Sequence, residues 1–176
     1  KSNAVVPATG FDGDTVSQSL AIGAKIVFED DGPKVTATGN ADAKVSLDET
    51  ATTSDAALIA TPGITKGEDL DVAGTGAIAH GTSSSAFVNA TTLFGADGPA
   101  VSGATVYQLV ATSGVSGLTV TDGSPVDLQT LPNGVVVGVV NGGAFNGQAA
   151  FALSIEPNTG AVTVEQYLSL HQDSLS

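Results

Sequence analysis

The sequence predicts an all-β protein, an Ig-like β-sandwich with acidic loops, and three observations carry that prediction. Apolar residues recur with a period of two over segments of strand length, as in TVSQSLAI and PVDLQT, the signature of side chains alternating between two faces. The 22 Gly and 7 Pro punctuate the chain with turn residues where these segments end. No convincing amphipathic stretch of ten or more residues has helical spacing, so helix is expected in under about 15% of residues, against roughly a third ordinarily.

Taken in order, strands are expected at TVSQSLAI (15–22), KVTAT (34–38), AKVSL (43–47), TVYQLVA (105–111), GLTVT (117–121), PVDLQT (125–130) and GVVVGVV (134–140). In the first, Val16, Leu20 and Ile22 share one side with Gln18 between them. The clearest hairpin is QAAFALSIE, then PNTG (157–160), then AVTVEQYLSL. There Pro157 and Asn158 suit a type I turn, and Gly160 tolerates a positive φ. TSDAALIA (53–60) and SSSAFVNATTLF (83–94) each have room for one helical turn. His80, in AIAHGTSSS, reads as a polar loop residue. About ten short strands with frequent turns read as a sandwich.

Composition sets what this fold contains and which partners it excludes. A chain of 176 residues with 41% apolar side chains can bury a real core. It holds no Cys, so its stability must come from that core, from bound ions, or from both. Only 5 Lys+Arg stand against 18 Asp+Glu, a net charge of -13. Such a chain cannot neutralise a phosphate backbone or an anionic bilayer, which excludes nucleic acid and favours cations. No apolar run approaches the ~18 residues of a membrane-spanning helix, so no membrane insertion is expected. The N-terminus has no secretion-signal pattern, which places any export signal elsewhere.

The acidic residues are not scattered. FDGDT (11–15) carries Asp12 and Asp14 at i, i+2, and FEDDGP (28–33) carries Glu29 and Asp31 at the same spacing with Asp30 between them. In extended backbone such pairs face one side, and two unit charges ~4 Å apart repel by roughly 4 kcal/mol at an effective dielectric near 20. A hard cation relieves that repulsion. Ca²⁺ accepts six to eight oxygens in irregular geometry and suits corners of this kind, whereas Mg²⁺ demands a stricter octahedron. SLDET (46–50) adds Asp48 and Glu49, and KGEDLDV (66–72) adds Glu68, Asp69 and Asp71. FEDDGPKV is echoed by FGADGPAV at 94–101. Asp97 in the echo has no acidic neighbour, and reads equally as a turn residue and as an ion ligand. Neither an EF-hand nor a nonapeptide calcium run is present, so any site is assembled from separate segments.

Catalytic patterns fail the same test. The two histidines, His80 and His171, sit in no recognised motif, and there is neither a G-x-S-x-G elbow nor an H-E-x-x-H pair. Gly74-Thr-Gly76 follows an acidic stretch rather than a buried strand, unlike a dinucleotide loop. Carboxylate pairs would suit glycoside hydrolysis, yet the chain has no Trp on which a sugar would stack.

The run ATGFDGDTVSQSLAIGAKIVFEDDGPKV resembles the junction between consecutive repeats of giant type I-secreted RTX adhesins of Gram-negative bacteria, where a DGDT strand ends one module and FEDDGP opens the next. FGADGPAVSGATVYQLVATSGVSGL, TDGSPVDLQTLPNGVVVGVVNG and FALSIEPNTGAVTVEQYLSL are similar to the body of the same module. The resemblance implies an extracellular, non-catalytic, Ca²⁺-dependent β-sandwich in a biofilm adhesin. Its partners would be neighbouring modules of the same polypeptide, with glycan or peptide ligands bound through an adjacent domain. By motif match the ion ligands would be Asp12, Asp14, Glu29, Asp30 and Asp31, with Asp48 and Glu49 next. Two functions fit: a stiff spacer or scaffold, or a module that itself binds carbohydrate or peptide through Ca²⁺. The implied division is 1–27 and 28–176. In it, 1–27 is either the closing strand of a preceding repeat or the N-terminal part of one split domain, and 28–176 is the main sandwich.

Overall fold

In a computed structural model, residues 3–9, 11, 15–21, 32–49, 58–70 and 76–172 are described. The expected all-β class is what the chain adopts: antiparallel sheets and, among the described residues, no helix. Contacts divide it into two compact units, Lys1–Lys34 with Phe94–Gly98, and Val35–Leu93 with Pro99–Ser176. The expected boundary at 27/28 lies outside the described residues.

In the first unit β1 (Asn3–Thr9) and β2 (Thr15–Ala21) form an antiparallel ribbon in continuous register from Asn3↔Ala21 to Thr9↔Thr15. Pro7 stands opposite Ser17. A proline withholds one ladder donor, which a two-stranded ribbon tolerates because both of its strands are edges.

The second unit is built on a seven-stranded antiparallel sheet. Its elements are β4 (Ala79–Thr82), β6 (Gly114–Val120), β7 (Pro125–Thr130), β8 (Val136–Val140), β9 (Ala149–Ile155), β10 (Val162–Gln166) and β11 (Leu170–Gln172), in the order β11-β6-β7-β8-β9-β10-β4. From β6 to β10 the order follows the chain as a meander. The β9–β10 hairpin closes as the sequence predicts, with the Gly160 N–H donating to the Glu156 carbonyl at 2.8 Å and Gly160 at φ +72°. A two-stranded sheet, β3 (Lys34–Gly39) with β5 (Val88–Leu93), completes the described strands.

Registers show that the main sheet is apolar on both sides. Val137 pairs with Ala152 and Val139 with Ala149. These four gather on one face with Ile59, Ile64, Ala77, Leu131, Val135 and Tyr167. The alternate residues Val126, Val140, Phe151 and Leu153 lie on the other face, with Leu118, Val120, Leu128, Phe145, Leu168 and Leu170. Burial on both faces explains why GVVVGVV and AAFAL are nearly continuous apolar runs rather than strict alternations. The Phe151 ring lies over Gly138, its cross-strand partner, and a Cβ there would fall within the ring's van der Waals envelope.

Four sequence expectations fail. AKVSL and TVYQLVA form no strand: the first runs beside β4, where a Cβ on Gly81 would lie 2.8 Å from the Ser46 carbonyl, and the second donates its Tyr107 N–H to Pro157 outside any ladder. The helical turn expected within 83–94 is instead β5, in keeping with Val88, Thr91 and Thr92, whose β-branched side chains favour extended backbone. His80 lies on a strand, β4, opposite Glu165. Of 53–60, only 58–60 is described, and it is not helical.

Gly138→Ala should destabilise the protein by about 1–3 kcal/mol, the usual cost of forcing an extra carbon into a packed site. Urea denaturation checks this. An unchanged midpoint would mean that Phe151 does not lie over residue 138.

Candidate functional site

Of the residues expected to hold Ca²⁺, Asp12, Asp14, Glu29, Asp30 and Asp31 lie outside the described residues. Asp48 and Glu49 are exposed at the end of the 43–47 segment, and the Glu49 carboxylate accepts a hydrogen bond from the Gln166 side-chain amide. Asp97 is exposed in a turn where the Gly98 N–H donates to Gly95 O at 3.4 Å and Gly98 takes φ +72°. The second Asp-Gly-Pro copy is therefore a turn that uses glycine's freedom, as one reading of the sequence has it. Asp48, Glu49 and Asp97 offer the hard oxygen donors Ca²⁺ takes. Among the described residues, no three His, Cys, Asp or Glu side chains are grouped as a metal ion would require.

The structure assembles a different carboxylate site. Glu165 on β10 is fully buried. Its Oε1 accepts the backbone N–H of Leu58 at 2.5 Å and of Ile59 at 2.9 Å. Its Oε2 accepts the Tyr167 hydroxyl at 2.8 Å and lies 3.7 Å from Lys66 Nζ. That ammonium also sits 5.0 Å from the centre of the Tyr167 ring, a cation–π distance. A buried carboxylate is costly unless its oxygens are matched by donors, and here both oxygens are matched.

These bonds fasten the segment 58–69 across the sheet face that carries Ala152 and Tyr167. Asn133 donates its side-chain amide to Ala60 O at 3.0 Å. A turn at Thr61–Ile64, with Gly63 at φ +82°, then reverses the chain. Ala149 N–H donates to Thr65 O and Gly67 N–H to Ala149 O, both at 2.8 Å, around a parallel bridge between Lys66 and Ala149. Finally Asp69 Oδ2 accepts the Ser169 N–H at 2.8 Å. Ile59 and Ile64 are thereby pressed into the core.

Burial, then the hydrogen bond and negative charge of Glu165, push the Tyr167 phenol well above its ordinary range. Hydrogen bonds from Ser124, and then the Ala144 N–H, hold the exposed Asp122 carboxyl below its ordinary value. With its oxygens committed to donors and no exposure to solvent, Glu165 positions chain segments rather than a reacting atom. Glu165 lies outside the acidic clusters of the sequence, with no second carboxylate beside it. The available signal was alternation in VTVEQYL, which puts Glu165 on one side with Thr163 and Tyr167, opposite Ala152 in the hairpin.

Fold and site together define an all-β domain organised around an internal structural carboxylate. Residues 44–176 match the family described as a domain of unknown function, DUF5801, and the chain belongs to that family. The match spans β4 to β11 and the 58–69 segment, and leaves residues 1–43 outside it. No curated protein and no solved structure matches the chain.

Glu165→Ala strands two backbone donors and the Tyr167 hydroxyl, and should cost on the order of 3 kcal/mol. Glu165→Gln keeps one acceptor oxygen for Leu58 and Ile59, so it should cost less. Denaturant titration of both variants checks the order, and equal costs would deny the two donors their role. The raised phenol has a matching pH signature. Its contribution to stability is complete below the ordinary value of 10.0 and declines as pH rises beyond it. In Tyr107→Phe, whose single tyrosine is Tyr167, absorbance titration should show no phenolate until the protein unfolds in alkali.

Proposed function

We propose that the chain is a non-catalytic, Ca²⁺-binding structural module of a bacterial biofilm adhesin, working outside the cell at the surface of a Gram-negative bacterium as a stiff spacer or scaffold. The observation that carries this reading is the concentration of carboxylates at chain corners, Asp12 with Asp14 and Glu29 with Asp30 and Asp31, in a chain of net charge -13. The resemblance of DGDT, FEDDGP and the later motifs to adhesin repeats, and an all-β fold whose loops are tied to the sheet by buried bonds, support the same reading. Its partners are neighbouring modules in the same polypeptide, and ligands are taken by an adjacent domain.

When bound, the ion supplies counter-charge and coordination that hold the corners together. The chain's own part is to present hard oxygens at i, i+2 spacing in the sequence, Asp12 with Asp14 and Glu29 with Asp31, with Asp48 and Glu49 following the 43–47 segment. Binding to the folded state alone adds about 2.7 kcal/mol when free Ca²⁺ is a hundredfold above Kd, a large share of a typical 5–15 kcal/mol.

Scanning calorimetry with and without chelator tests the proposal. Chelation should lower Tm by several degrees, and Mg²⁺ at equal concentration should restore little of it. Asp31→Ala removes a ligand and also a repelling charge, so it should be less stable than wild type in Ca²⁺ but equal or slightly more stable in chelator. Wild type insensitive to chelator, with Asp31→Ala neutral in both buffers, would reduce FEDDGP to an acidic turn. A glycan or peptide bound in Ca²⁺ and lost in chelator while the protein stays folded would instead make the module a binding domain.

A further inference from the structure

We draw no further inference here: the strongest candidate, the apolar groove of about 760 Å³ between the β3–β5 pair and the β9–β10 end of the main sheet, lined by Val45, Phe87, Leu153 and Val164 among others, carries nothing because no charge pattern or contact among the described residues shows what covers it.

Discussion

The fold of the larger unit depends on one carboxylate. Glu165 has no exposed surface, and besides the Tyr167 hydroxyl its partners come from residues about a hundred positions earlier: Leu58 and Ile59, 107 and 106 residues away, and the Lys66 ammonium. A sheet that is apolar on both faces must be covered on both. Segment 58–69 contributes cover on the Tyr167 side, and Glu165 sets its place along the strand. An apolar residue at 165 would add hydrophobic contact but would leave the Ile59 N–H buried and unmatched and the Leu58 N–H without its acceptor, and a buried unmatched donor costs more than an ordinary hydrogen bond gains. The carboxylate thus specifies where the segment docks.

The neighbouring contacts extend the same arrangement. Gln166 donates to Glu49 and to Leu168 O, while Ser169 donates to Asp69. In this way three successive parts of the chain, at 49, 58–59 and 69, are all bound to the run 165–169. Close packing completes it: a Cβ on Gly67 would overlap the buried Leu168 side chain, so any larger residue at 67 would have to displace Leu168.

Local pattern carried far in the sheet and poorly elsewhere. PVDLQT is β7 residue for residue, and the Pro157 to Gly160 turn follows from proline's fixed φ and glycine's freedom. β4 was not legible, because AHGT is too short for a period to show and owes its strand state to pairing with β10. The reverse error occurred at 43–47 and 105–111, where alternation is present but no neighbour forms a ladder: period two reports which side is buried, not whether a strand is paired. Glu165 was hidden for a related reason. A lone acidic residue in an alternating strand reads as solvent-facing when one face is assumed wet, and only the tertiary fold shows both faces covered. Of the expected ligands, Asp97 lies in a turn that uses Gly98, Glu49 accepts a bond from Gln166 and Asp48 is exposed beside it, while the others lie outside the described residues.

If Glu165 holds segment 58–69 in place, the amide protons of Leu58 and Ile59 are locked in hydrogen bonds to a buried acceptor, although Leu58 itself is a loop residue with an exposed side chain. Native-state hydrogen exchange followed residue by residue by NMR measures this directly. The account predicts that both amides exchange only through large-scale opening, as slowly as those of β8 and β9, and that Glu165→Gln speeds them while leaving β8 protected. Exchange of Leu58 and Ile59 at the rate of an open loop in the wild-type protein would contradict it.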